Sequence, residues 1–250
     1  MGPALFLLLL TCTMATTTVY MDPAWSVAAG CGGSPEKACG DWPSAALAVN
    51  ALASWGGTVL VLAPGDYVIN VSAVTAPALF AYPVAIESSP GAVVTLAGNL
   101  LGWTRQVTSY IQLAAGGSIA GVTFQSRLNE GSGYAAVVRA GLEYRQLCPV
   151  DLVPKLSFTM TGCVVQDFKE ALSVNMVLPI VVFSDSCYNQ SSLVVRNTSF
   201  AASVALDSVF ASMTSSSFVA QIVDNTFLFT PTRPLLGCCW DLLLFAWASG

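Results

Sequence analysis

The sequence predicts an all-β protein built as a parallel β-helix, with one short helix near its N-terminus. Three observations lead there. Beyond Gly57 the apolar segments are short, roughly 4–8 residues, rich in β-branched and aromatic side chains, and bounded by Gly, Pro, Ser or Asn, which is the pattern of strands. Several, such as "TVLVLA" and "AAVVRAG", are almost continuously apolar rather than cleanly alternating, as in parallel sheets covered on both faces. No helical pattern separates them, so the parallel strands must return by loops, which leaves a coil of stacked turns.

The first residues, "MGPALFLLLLTCTMATTT", have an apolar core from Ala4 to Leu10 followed by small polar residues. They read as a secretory signal peptide over 1–15 with cleavage after Ala15; the other reading is a buried first strand. Residues 16–55 form an N-terminal cysteine-bearing segment and a helix. "DWPSAALAVNALASWGG" predicts that helix from Asp41 to Trp55, with Pro43 in its first turn, Leu47, Ala51, Leu52 and Trp55 on one side, and Gly56-Gly57 as the stop.

Residues 56–230 are the predicted coil. In "GGTVLVLAPGDYVINVS" the break at Pro64-Gly65-Asp66 is read as a corner between adjacent faces, because each of the three residues favours a tight bend for its own reason. A hairpin in a β-sandwich is the alternative. An apolar residue, a spacer, Gly or Asn, two spacers and an apolar residue recur in "IAGVTF", "MTGCVV", "VRNTSF" and "VDNTFL". The Gly/Asn positions are 121, 162, 197 and 225, a spacing in the roughly 20–50-residue range of solenoid units. Gly and Asn also tolerate the left-handed backbone that tight corners need. Residues 231–250, "PTRPLLGCCWDLLLFAWASG", abandon the pattern and read as an atypical apolar tail, either an unusual end cover or a truncated C-terminus.

Composition narrows the function. Charged residues are 9% of 250, against about 25% in ordinary soluble proteins, while 54% are hydrophobic. The longest uncharged apolar run outside the leader, "VNMVLPIVVF", is far short of the ~20 residues of a membrane span, so no transmembrane span is expected. The net charge of −5, without basic runs, argues against nucleic acid as a partner. Histidine is absent, which removes the commonest general base and metal ligand.

Export is the expected destination. Three sequons, at Asn70, Asn189 and Asn197, are candidate glycosylation sites. Eight cysteines fit an oxidising compartment. Loss of Cys12 with the leader leaves Cys31, Cys39, Cys148, Cys163, Cys187, Cys238 and Cys239, an odd set. Cys31 and Cys39, bracketing the turn-forming "GGSPEKA", are the first expected disulfide pair. A zinc site is the weaker alternative, since C-x-x-C and histidine are both missing.

The stretch "DPAWSVAAGCGGSPEKACGDWPSAALAVNALASWGGTVLVLAPGDYVINV" resembles the opening of right-handed parallel β-helix proteins of the pectin-lyase-like group. Secreted protist members, and polymorphic outer-membrane proteins of bacteria, show a similar beginning: a cysteine-bearing segment, a short helix, "GGTV", then "PGxY". The likeness runs from Asp22 to Phe227 and is strongest before Val71. It implies a right-handed coil whose helix caps the open end and shields strand edges.

Enzymes of that superfamily use calcium-binding acid clusters with an arginine or lysine base, or aspartates on neighbouring coils. Here Asp167, Glu170, Asp185, Asp207 and Asp224 stand at different offsets from the Gly/Asn positions and are not expected to stack. Arg139 and Arg145 beside Glu143 read as a surface ion pair. Trp25, Trp42, Trp55, Trp103 and Tyr110 are candidates for stacking on sugar rings, with Trp25, Trp42, Trp103 and Tyr110 the leading set. Phe124, Phe158, Phe200 and Phe227 fall at repeat positions and read as an internal stack. The expected function is a secreted, non-catalytic module for cell-surface or wall adhesion or glycan contact, with carbohydrate as partner and no metal or cofactor. The alternative is a polysaccharide lyase or glycoside hydrolase.

Overall fold

A computed structural model describes residues 16–25, 30–52, 57–100, 109–131, 136–142, 155–166, 181–184, 187–202, 209–213, 217–229 and 247–248. Strand β1 (Thr17–Met21) leads through a 3-10 turn (Pro35–Lys37) to helix α1 (Trp42–Leu52). Strands then follow in threes. The first three are β2 (Thr58–Leu62), β3 (Gly65–Asn70) and β4 (Ala78–Phe80), then β5 (Val84–Ser88), β6 (Ala92–Leu100) and β7 (Ser109–Leu113). The middle of the chain carries β8 (Gly117–Ala120), β9 (Thr123–Gly131) and β10 (Ala136–Gly141), then β11 (Lys155–Thr161), β12 (Val164–Gln166) and β13 (Val181–Ser184). Last come β14 (Gln190–Arg196), β15 (Ser199–Ala202) and β16 (Val209–Met213), then β17 (Ser217–Val223), β18 (Thr226–Phe229) and β19 (Trp247–Ala248).

The chain is therefore mostly β, with parallel sheets and a single α-helix among the described residues. Three open sheets take every third strand. The first runs β1-β2-β5-β8-β11-β14-β17, the second β3-β6-β9-β12-β15-β18, and the third β4-β7-β10-β13-β16-β19. Every pairing is parallel and nearly all are in strict register. Strands β2 and β3 lie in different sheets, so the break at Ala63-Pro64 is a turn between sheets and not a hairpin tip, with Gly65 and Asp66 already in β3.

Register turns alternation into ladders. In the first sheet Val19, Leu60, Ile86, Ile119, Met160 and Val195 are consecutive partners, all buried. In the second, Tyr67, Val94, Phe124, Val165 and Phe200 do the same, and Phe227 follows. The buried members of both ladders belong to one hydrophobic cluster that draws on all three sheets and α1, and Phe227 enters as the register partner of Phe200. The expected phenylalanine stack is divided: Phe124 and Phe200 share a ladder with Val165 between them, whereas Phe158 is on the first sheet, partnered by Gly117 and Leu193. Strand alternation, not the repeat motif, decides which face each ring joins.

The turns between the first and second sheets carry the repeat. Gly121, Gly162, Asn197 and Asp224 all have positive φ, at 72°, 61°, 50° and 56°. The first three are the expected corner residues, but the fourth is Asp224, one residue before the Asn225 read from sequence. Val223 pairs with Arg196 and Thr226 with Ser199, so both corners hold two residues and Asn225 matches Thr198. Asn225 instead uses its side chain, accepting from Thr198 N at 2.9 Å and donating to Val195 O at 2.9 Å. The corner amides of Gly121, Gly162 and Asn197 each donate to the carbonyl before the next corner, at 3.0–3.2 Å.

Helix α1 covers Trp42–Leu52 of the expected Asp41–Trp55, and residues 53–55 lie outside the described residues. Asp41 caps it, its carboxylate accepting from Ser44 N at 2.7 Å. The buried side is Trp42, Ala45, Ala46 and Val49, not the side holding Leu47, Ala51 and Leu52; Leu47 is 72% exposed. Small alanines let the helix approach β4 and β1 closely, so the bulkier leucines face away. Asn50 fixes the contact. Its amide donates to Leu79 O at 2.7 Å and accepts from Ala81 N at 2.9 Å, completing bonds at the edge strand β4. Trp55, residues 1–15 (the expected signal peptide) and residues 230–246 lie outside the described residues.

Candidate functional site

The second sheet presents a polar strip. Along β3 the pattern sends Tyr67 and Ile69 inward and leaves Asp66, Val68 and Asn70 outward. The same alternation turns Val93, Thr95 and Ala97 of β6, and Thr123, Gln125 and Arg127 of β9, to the outside. Parallel register brings these nine positions into three adjacent rows.

Four side chains on the strip are linked. Arg127 Nη1 lies 3.3 Å from Asp66 Oδ2. The Thr95 hydroxyl donates to Asp66 Oδ1 and accepts from Gln125 Nε2 at 2.8 Å. Thr95 has no exposed surface, while the Arg127 side chain is 63% exposed and that of Asp66 36%. The covered threonine thus holds the acid and the amide in place, and the guanidinium and carboxylate stay open to solvent. Asp66 is the one carboxylate among the described side chains of this strip, and it is already paired.

The turn that carries Trp25 meets β3 at one end of the strip through Pro23. The turn from Asp22 to Trp25 closes through Ala24 N to Asp22 Oδ1 at 2.8 Å and Trp25 N to Asp22 O at 3.2 Å. Pro23 sits directly on Gly65: a Cβ there would come within 2.6 Å of Pro23 Cγ. The turn is therefore seated on the residue preceding Asp66, and the Trp25 ring is 45% exposed. Beneath it, the Tyr67 hydroxyl lies 2.8 Å from Met21 O and 2.9 Å from Ala63 O. Burial, and then the charge of Asp22, hold its pKa well above the usual tyrosine value.

Two of the other expected aromatic contacts, Trp42 and Tyr110, do not face solvent. Trp42 is 6% exposed, its ring 6.1 Å from that of Tyr67, and Tyr110 is 5% exposed on β7. Both rings are built into packed regions and cannot stack on a sugar here. Trp103 lies outside the described residues. Arg139 also departs from expectation. It is 7% exposed on β10, opposite Gln112, so it is not a surface ion pair; Glu143 and Arg145 fall outside the described residues.

Cys31 and Cys39 form a disulfide with Cα atoms 4.9 Å apart. Cys187 is also disulfide-bonded, and Cys163 is free and buried in a corner. Asn70, Asn189 and Asn197 are all exposed. Of the acids weighed for catalysis, Asp224 is a corner residue, and Asp167, Glu170, Asp185 and Asp207 lie outside the described residues. Among the described residues no three His, Cys, Asp or Glu side chains gather as a metal site, and no helix is long and apolar enough to cross a membrane.

The linked set of Asp66, Thr95, Gln125 and Arg127 was not legible as a site in the sequence, where Asp66 reads only as a turn former. The signal that finds it is spacing: Asp66, Thr95 and Gln125 are separated by 29 and 30 residues, one turn of the chain each. Compared with known families, curated proteins and solved structures, the chain has no match.

Proposed function

We propose that this chain is a right-handed parallel β-helix, exported from the cell, that contacts glycans through the outer face of its second sheet without chemistry. The handedness rests on the visiting order of three parallel sheets together with the strong right-handed preference of parallel crossovers. The export reading rests on the leader, the sequons and the Cys31–Cys39 disulfide. The observation that carries the glycan reading is the solvent-open Asp66–Arg127 pair on the outer strip, with the exposed Trp25 two residues beyond Pro23, which packs on Gly65 next to Asp66. An apolar platform next to a fixed donor and a fixed acceptor suits a sugar, whose ring faces are apolar and whose edge carries hydroxyls.

Hydrolysis of a glycosidic bond needs two carboxyl groups flanking it, roughly 5–10 Å apart. Among the described side chains the strip supplies one, with one oxygen on Thr95 and the other on Arg127. That favours binding over turnover.

The test is retention of the purified chain on a panel of neutral and acidic polysaccharides, compared with Trp25→Ala and Arg127→Ala. Retention of the parent chain, lost in both variants, is the expected result. Release of unsaturated or reducing ends from polygalacturonate at ordinary enzyme rates, with or without calcium, would show the chain to be an enzyme instead.

A further inference from the structure

The strip that carries Arg127 also carries a sequon. Asn70 is the last residue of β3, exposed on the outward side, in "NVS". Its register partner is Ala97 on β6, whose own partner is Arg127 on β9. Asn70 and Arg127 therefore stand on one row, about 10 Å apart at two strand spacings, with only a methyl group between.

The ground around Asn70 is cleared. Gly98, next along β6, has φ +102°, and a Cβ there would come within 2.9 Å of Asn70 Oδ1 and 3.0 Å of Ser72 Oγ. The side-chain carbonyl of Asn70 accepts from Ser72 N at 3.1 Å, while among the described residues nothing bonds its Nδ2. The carbonyl is thus held and the amide nitrogen left to solvent. Asn197, by contrast, occupies a corner between the first and second sheets, off the strip.

We propose that Asn70 carries an N-linked glycan that lies along this row, over Ala97 toward Arg127, and occupies the glycan-contacting face of its own chain. The inference rests on the export and glycan-contact readings above. In the transfer, Asn70 Nδ2 forms a bond to C1 of a lipid-linked oligosaccharide. The C1–O bond to the lipid pyrophosphate breaks, the pyrophosphate leaves with the bonding pair, and the amide nitrogen loses one proton. The fold then dictates where the attached sugars rest. A glycan tethered on the strip is a competitor at millimolar effective concentration, which lowers the apparent affinity for free glycans without altering the site.

The experiment expresses the full chain in a glycosylating insect-cell host, with its own N-terminus and, in parallel, behind an unrelated secretion leader. Glycopeptide mass spectrometry before and after peptide-N-glycosidase treatment reads each sequon. Modification of Arg127 by a dicarbonyl reagent, mapped by mass, reads whether the face is covered. Expected are a glycan on Asn70, slow modification of Arg127 that accelerates in Asn70→Gln, and polysaccharide retention that rises about tenfold in Asn70→Gln. Asn197→Gln is expected to change neither. An unmodified Asn70 in secreted chain overturns the proposal, as does an Arg127 rate indifferent to the Asn70 glycan. Secretion only from the unrelated leader overturns the export reading, and absence of retention in every form overturns the glycan-contact reading. In both of those cases the Asn70 peptide and the Arg127 rate still decide the proposal.

Discussion

The side chain of Asn50 is bonded on both its atoms to the edge of β4, donating to Leu79 O at 2.7 Å and accepting from Ala81 N at 2.9 Å. An amide side chain thus stands where a neighbouring strand's peptide unit would otherwise be. Asn50→Ala leaves two edge groups of β4 to solvent or without partners, an expected loss of about 1–3 kcal/mol. Asn50→Asp is expected to be at least as damaging, because it keeps the acceptor for Ala81 N and turns a carboxylate against Leu79 O. Urea unfolding of both variants checks this; a loss confined to Asn50→Asp would show that charge, not the bonds, matters.

Two glycines of positive φ separate torsional from steric cost. A Cβ on Gly116 would lie 2.2 Å from Ser157 O, a backbone atom that cannot yield, whereas a Cβ on Gly162 meets nothing within 4 Å. Gly162→Ala therefore loses only the left-handed torsion, about 1–2 kcal/mol. Gly116→Ala forces the β7–β8 turn off β11 and is expected to abolish soluble expression or to lower the melting temperature far more. Equal losses in the two variants would contradict the placement of β11 beside that turn.

Two buried groups make stability fall in alkali. Burial pushes the Tyr188 hydroxyl up to about 12, and the Cys163 thiol up to about 11. Tyr188 donates to Ala114 O, and Cys163 lies near Ile119 O and Thr161 O. Both bind their protons more tightly folded than unfolded. Their contribution is complete below the ordinary values of 9.0 for cysteine and 10.0 for tyrosine, and is lost as pH rises through about 11 and about 12. Urea midpoints are expected to fall from pH 9 upward, and Tyr188→Phe to flatten the part above pH 10. The Cys163 peptide is expected to resist alkylation at pH 8 until denaturant is added.

Thr95 is the covered centre of the polar strip, so Thr95→Val tests its role in positioning. The variant keeps the shape and removes both hydroxyl bonds, at an expected stability cost of about 1 kcal/mol. The exposed Asp66–Arg127 pair contributes at most about 1 kcal/mol by itself. Glycan retention is nevertheless expected to drop severalfold, as Asp66 and Gln125 lose their fixed orientation. Undiminished retention would place the sugar-contacting surface elsewhere.

Cys31 and Cys39 close a loop with a sequence separation of 8, and Cys39 is buried against β1. A cross-link over so short a loop is expected to contribute about 2 kcal/mol, less than the ~3 kcal/mol of a 15-residue loop. Paired Cys31→Ser and Cys39→Ser substitutions, unfolded in urea beside the parent chain, give the difference directly.

Short apolar runs, turn residues and a recurring corner motif were enough to expect parallel strands, the helix near residue 42, the Cys31–Cys39 pairing and the corners at Gly121, Gly162 and Asn197. These are local properties. A left-handed corner needs Gly, Asn or Asp whatever surrounds it, and strand propensity is carried by the residues themselves. Pairing partners are not local. The corner at Asp224 rather than Asn225, the burial of Ala45 and Ala46 in place of Leu47, and the withdrawal of Trp42 and Tyr110 from solvent were each decided by register and packing. The meeting of Asp66, Thr95, Gln125 and Arg127 depends on the same cause. A shift of one residue in a strand exchanges its two faces, so only the assembled sheets determine which side chains share a surface.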